Sequence, residues 1–206
     1  MPLPLLDHFG LLAPYYDRIF QAGDLGPLVS LVAPEASHRL LDIGGGTGRV
    51  AQRFCGCVAQ VCVIDPSPDM LRQVRDKCPS ARNLDATQAE SETLPFADGR
   101  FDRIIVVDAF HHLRDQALAA SEMVRVLAPG GRLVIQEPNI AHWGVKLVAL
   151  GEKALLMQSR FYAPEDIRAI YLQHEDVAQA TLHHTHIEPV SESVPGATVW
   201  VVIDKK

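Results

Sequence analysis

The run Leu41-Asp42-Ile43-Gly44-Gly45-Gly46-Thr47-Gly48 restricts what this chain can fold into more than any other segment. Arg39–Ile43 reads as a short apolar strand, and a helix is expected from about Thr47 to Cys55. The backbone must turn sharply between them. Glycines permit the positive φ, and the close backbone approach to a ligand, that such a turn requires. In a doubly wound sheet, nucleotides bind at this first crossover, outside the carboxyl ends of the strands.

The rest of the pattern extends the same architecture. Strands are expected at about Val58–Ile64, Arg82–Ala86, Phe101–Val107 and Arg132–Gln136, alternating with helical segments. Asp65-Pro66-Ser67-Pro68 stops the second strand and opens a helix through Lys77, with Pro68 suited to the first helical position. Asp115–Leu127 has helical spacing, and Pro129-Gly130-Gly131 breaks it. Such alternation predicts an α/β fold, a parallel sheet with helices on both faces. The chain closes on two β-type runs, about Val177–Ile187 and Thr198–Ile203, joined too briefly for a parallel crossover. One reversed strand is therefore expected at the end of a seven-stranded, mostly parallel sheet. Before the first strand, Leu3–Ala33 reads as one or two helices interrupted by Pro14, Gly26 and Pro27.

At 206 residues the chain fits one domain of ordinary size, and 48% hydrophobic residues supply a full core. A formal charge of −6 argues against nucleic acid as a partner, because phosphate binding needs a basic face. No apolar run reaches the roughly 20 residues that cross a bilayer, so a cytoplasmic protein with no integral membrane segment is expected. Cys55, Cys57, Cys62 and Cys78 lack the spacing of paired zinc ligands and read as buried free thiols. His183, His184 and His186 have no carboxylate or thiol beside them, so they read as a solvated strand face, and no metal is expected.

The glycine turn itself leaves two ligand classes open. A P-loop is excluded, since no Gly-Lys-Ser/Thr follows. Gly46-Thr47-Gly48-Arg49-Val50-Ala51 matches the dinucleotide pattern G-x-G-x-x-A, and Asp65 ends the next strand where a carboxylate holds ribose hydroxyls. An NAD(P)-dependent oxidoreductase would use both features. Asp42, however, lies two residues before the first glycine and would repel a pyrophosphate. A ligand with an ammonium and a sulfonium, such as S-adenosylmethionine, suits it better.

Four stretches, LLDIGGGTGRVA (40–51), VIDPSPDML (63–71), DATQAESETLPFADGRFDRIIVVDAFHHL (85–113) and EMVRVLAPGGRLVIQEP (122–138), stand in the order and spacing of a known family. Over about Arg39–Pro138 the chain resembles the class I S-adenosylmethionine-dependent methyltransferases, in the branch of the ubiquinone/menaquinone-biosynthesis enzymes. The resemblance implies a Rossmann-like fold, with S-adenosyl-L-methionine as cofactor. It also implies a role for each matching residue. Asp42 and the turn of Gly44, Gly45, Gly46 and Gly48 would cradle the methionine part. Asp65 would hold the ribose, Pro66 and Met70 would pack near the adenine, and Asp85 with Ala86 would meet its amino group. Asp108 would stand where methyl donor and acceptor meet.

Methyl transfer from a sulfonium needs alignment and exclusion of water more than acid–base machinery. A base is required only if the acceptor must lose a proton, and His111 and His112 are the candidates, able to titrate near neutrality. The apolar stretch with Trp143, Leu147, Leu150, Leu155 and Met157, together with Tyr15 and Tyr16, is expected to recognise a small, apolar acceptor. The expected organisation is a helical cap (1–36), a cofactor-binding core (37–138), a helical lid (139–173) and a closing hairpin (174–206). The 143–157 stretch is also a candidate homodimer surface. A non-catalytic subunit that binds the same cofactor would carry the same turn.

Overall fold

The computed structural model describes residues 24–77, 81–139, 160–184 and 198–206. Seven strands form one sheet: β1 Arg39–Ile43, β2 Gln60–Asp65, β3 Leu84–Gln88, β4 Phe101–Val107, β5 Leu127–Pro138, β6 Val177–His184 and β7 Thr198–Lys205. Their spatial order is β3-β2-β1-β4-β5-β7-β6. The chain runs outward from β1 through β2 to β3, then returns to place β4 on the other side of β1. That reversal opens a crevice at the carboxyl ends of β1 and β4, the switch point where ligands of such sheets bind. Neighbouring pairs are parallel except at β7, which runs against both β5 and β6.

The reversed strand lies one position in from the edge rather than at it. β7 is buried along both faces from Val199 to Ile203, so it needs a neighbour on each side. β6 alternates, with Gln179, Thr181 and His183 exposed, and takes the edge.

Period-two alternation divides the core between two faces. Leu41, Ile43, Ile64, Ile104 and Val106 point to one face, against α3 (Gln116–Val126) and α4 (Pro164–Leu172). Leu40, Val61, Val63, Ile105 and Trp200 point to the other, against α1 (Gly26–Val32) and α2 (Pro68–Lys77). Pro27 and Pro164 sit in the first turns of their helices, where a missing N–H is harmless. Asp115 caps α3 by accepting the Leu118 N–H at 3.0 Å.

Local differences from the sequence expectation have local causes. The helix expected over Thr47–Cys55 is a series of turns with one 3₁₀ segment, Ala51–Arg53. Gly48 at φ 74° delays its start, and its closing bonds are of the i→i−3 kind. Pro129-Gly130-Gly131 lies within β5, as an irregularity where the register with β4 slips between Phe101 and Arg103. Cys62 is buried, but Cys57 is exposed in the turn after the 3₁₀ segment, so the thiols do not share one environment. Cys78 lies outside the described residues. Among the described residues no helix is long and apolar enough to cross a membrane.

Candidate active site

The bend after β1 takes positive φ at Gly44 (65°), Gly46 (55°) and Gly48 (74°). Side chains are excluded here by contact as well as by φ. A Cβ on Gly44 would stand 2.7 Å from the Cβ of Ala109, and one on Gly45 would stand 2.7 Å from the Asp42 carboxylate. The bend therefore packs onto the turn after β4 and roofs Asp42. Asp65, at the end of β2, ties itself to the same bend: Oδ2 accepts the Gly46 N–H at 3.0 Å and Oδ1 the Ser67 N–H at 2.8 Å. Met70 approaches from α2, its Sδ 3.9 Å from the Cβ position of Gly46, while Pro66 lies exposed beside it.

Asp42 is 1% exposed, and its Oδ2 has no hydrogen-bond partner among the described residues. Burial pushes its carboxyl up to about 7; the charge of Arg49 opposes the rise and that of Asp65 adds to it. A buried carboxylate short of a partner favours a cationic ligand group and disfavours an anionic one.

Across the crevice, Asp108 follows β4 with φ 51°, a strained backbone for a non-glycine residue. Burial and the charge of Glu137 raise its carboxyl to about 6, while Arg49, 3.8 Å away at Nη2, opposes the shift. The next residues, Phe110–His112, form a 3₁₀ turn held by Glu137 of β5. Glu137 Oε1 accepts the Phe110 N–H at 2.8 Å, and Oε2 stands 2.6 Å from His111 Nδ1. The His112 ring lies 4.0 Å from that of His111, tilted by 47°, and burial, with help from His111, pushes it down to about 3. It is thus neutral across the physiological range, not the near-neutral titrating group its sequence position suggests.

The structure brings together Asp42, the four glycines, Asp65, Met70, Asp108, His111 and His112. It does not bring Asp85 and Ala86 to them. β3 extends to Gln88, and Gln88 is the residue level with Asp65. Asp85 pairs with Cys62, three residues back, roughly 10 Å along the strand at about 3.3 Å per residue. Its carboxylate accepts from Gln60 Nε2 at 2.8 Å, beside a separate cavity of about 280 Å³ lined by Arg75, Thr87 and Arg100. Ala89, whose N–H donates to Asp65 O at 3.3 Å, leads the chain past the crevice instead. The sequence expectation ended β3 two residues early, and that displaced the acidic residue.

Glu137 and Arg49 are the participants that sequence reading passed over. Both stand in stretches that carry the resemblance, but neither shows its partner locally. Two of those stretches also bond to each other. Arg125 of α3 donates to the Leu94 and Phe96 carbonyls, and Glu122 accepts the Leu94 N–H. Tyr15, Tyr16, Trp143, Leu147, Leu150, Leu155, Met157 and His186 lie outside the described residues. His183 is exposed, with Thr181 Oγ1 3.1 Å from its Nε2.

Residues 41–135 match a family described as a methyltransferase domain. A ubiquinone/menaquinone biosynthesis C-methyltransferase of Saccharophagus degradans is 39% identical over 115 residues, 53% of this chain and 46% of that protein. A demethylmenaquinone methyltransferase of Thermus thermophilus is 37% identical over 142 residues, 63% of each. The chain thus spans about half the length of the first of these relatives. Among solved structures, a SAM-dependent methyltransferase of Thermotoga maritima superposes with a TM-score of 0.75 at 23% identity, covering 96% of this chain and 98% of the other. A second, from Mesorhizobium loti, gives 0.73 at 17%, covering 88% and 97%. At those identities the likeness speaks for the fold. Over residues 41–135 the chain thus matches a methyltransferase domain, on a fold shared with S-adenosylmethionine-dependent methyltransferases.

Proposed function

We propose that this chain transfers a methyl group from S-adenosylmethionine to a small, apolar, quinone-related acceptor. The observation that carries the reading is Asp42, a buried carboxylate whose Oδ2 lacks a partner among the described residues, beneath a bend where side chains on Gly44 and Gly45 would clash. When bound, the cofactor supplies a methyl group on a sulfonium, an electrophile whose leaving group is neutral. In this reading Asp42 and the bend of residues 44–48 face the charged methionine end, and Asp65 holds the ribose. Met70 and the 89–91 segment flank the adenine, and Asp108 stands at the methyl group. The acceptor class rests on the names of the two relatives above, and the 139–173 segment with residues 1–36 is assigned to its recognition. A cytoplasmic location and a homodimer through 143–157 belong to the same proposal, with gel filtration as the test of the second.

A thermal-shift comparison tests the cofactor. A ligand at 100 times its dissociation constant adds about 2.7 kcal/mol, which for a domain of this size raises Tm by about 5–11 °C. S-adenosylhomocysteine should give that shift, NAD should not, and Asp65→Ala should abolish it. Stabilisation by NAD alone would favour an oxidoreductase. A shift with S-adenosylhomocysteine but no methylation of any quinol acceptor would favour a binding subunit.

A further inference from the structure

Arg49 directly follows the glycine bend, and its side chain is only 15% exposed. The bend follows β1 and Asp108 follows β4, so a guanidinium that reaches Asp108 spans the crevice between them. Its Nη2 stands 3.8 Å from Asp108 Oδ2, too far for a hydrogen bond. Its charge acts on Asp42 beneath the bend as well as on Asp108. Among the described residues the guanidinium makes no hydrogen bond. It carries five N–H donors in a flat fork that matches the two oxygens of a carboxylate. A largely buried cation with its donors unused is costly unless a ligand completes it.

The bend has few donors of its own to offer an anion. The Gly45 N–H is spent on Ile64 O at 3.1 Å, that of Gly46 on Asp65 Oδ2 at 3.0 Å, and that of Gly48 on Gly45 O at 2.9 Å. Asp42 is the converse of Arg49, a buried carboxylate whose Oδ2 lacks a partner among the described residues. The two feel each other's charge, yet among the described residues no hydrogen bond or ion pair joins them. A ligand group of one sign would leave one of them unmatched. An amino-acid zwitterion matches both.

Resting on the methyltransferase reading above, we infer that Arg49 receives the α-carboxylate of the cofactor's amino-acid end while Asp42 faces its α-ammonium. The crevice then reads a zwitterion as well as an adenosine. That separates S-adenosylmethionine and S-adenosylhomocysteine from adenosine thioethers that keep the adenine, the ribose and the sulfur but have lost the amino-acid end. Asp65 and Met70, assigned to the ribose and the adenine, cannot make the distinction. At 3.8 Å the pairing with Asp108 leaves the fork open to a closer carboxylate.

Titration calorimetry on the whole chain tests the assignment with S-adenosylhomocysteine, its decarboxylated analogue, which keeps the ammonium, and 5′-methylthioadenosine, which lacks both charges. The parent should bind S-adenosylhomocysteine about 10–100-fold more tightly than the decarboxylated analogue, as expected for hydrogen bonds between charged groups. Arg49→Gln should lose that factor. It should bind the decarboxylated analogue at least as tightly as the parent does, because the repulsion between guanidinium and ammonium is gone. Methylthioadenosine should bind parent and variant within about threefold. Arg49→Lys, which keeps a charge without the fork, should recover part of the lost factor. Residue and ligand group form a cycle whose coupling isolates their contact from any general effect on the site.

Equal losses in Arg49→Gln on S-adenosylhomocysteine and its decarboxylated analogue would make Arg49 a structural residue and overturn the assignment. Should Arg49→Gln not fold, the parent decides: affinities for those two compounds within about threefold of each other overturn it. A parent that binds methylthioadenosine as tightly as S-adenosylhomocysteine keeps the adenosine site and removes this inference alone. A parent that binds none of the compounds removes the cofactor reading, and the role of Arg49 with it.

Discussion

Replacing Asp42 by asparagine should stabilise the ligand-free protein at alkaline pH while weakening its hold on the cofactor. Burial raises the Asp42 carboxyl from 3.8 to about 7 in the folded state. A raised acid pKa means that the folded protein prefers the protonated form. Asp42 therefore costs nothing below pH 3.8, progressively more as pH climbs, and its full amount above pH 7. A difference of about three pH units at 1.36 kcal/mol each amounts to about 4 kcal/mol on the alkaline plateau. Asparagine has the same shape and no charge, but it places an amide where Oδ2 lacks a partner, at a cost of about 1–3 kcal/mol. The net gain at pH 8.5 is then about 1–3 kcal/mol. The amide cost does not depend on pH, so the cleaner readout is the change in the stability difference between variant and parent from pH 4.5 to 8.5, about 3 kcal/mol in favour of the variant. Urea unfolding at a series of pH values measures it. In the same variant S-adenosylhomocysteine should give a smaller thermal shift. A stability difference that does not vary with pH would refute the buried-charge account of this site.

Gly44→Ala should destabilise by about 2–5 kcal/mol, since left-handed φ and a 2.7 Å contact with Ala109 add. Gly46→Ala, with ordinary contacts at 3.9 Å and beyond, should cost only the backbone term, about 1–2 kcal/mol by denaturant titration. His112, held near pKa 3 against 6.5 when unfolded, makes the unfolded state bind the extra proton in that window. Stability should therefore fall by about 4–5 kcal/mol on its account as pH drops from above 6.5 to 3, and His112→Gln should be that much less acid-labile. Turnover of His112→Gln should keep the parent pH profile, because a ring that stays neutral contributes no limb near neutrality.

Much of the frame was legible from local patterns. Strand–helix alternation, the short connection that forces β7 to run backwards, and the Pro68 signal at the start of α2 depend on neighbours in sequence. The glycine bend and Asp65 were legible for the same reason: positive φ and the end of a strand are properties of one short segment. Asp85 marks where this kind of reading stops. Two extra residues on β3 shift the register by which that strand meets β2, and an acid expected at the crevice lies against Gln60 instead.

Sequence alone thus determined the seven strands and the bend between residues 43 and 49. Each follows from backbone sterics and apolar periodicity over a few residues. Only the tertiary structure decided that Glu137 would meet His111, that Arg49 would face Asp108, and that His112 would be neutral. Those outcomes depend on which strand lies beside which, because charges 26 or more residues apart interact only after the sheet has put them side by side and removed the water between them.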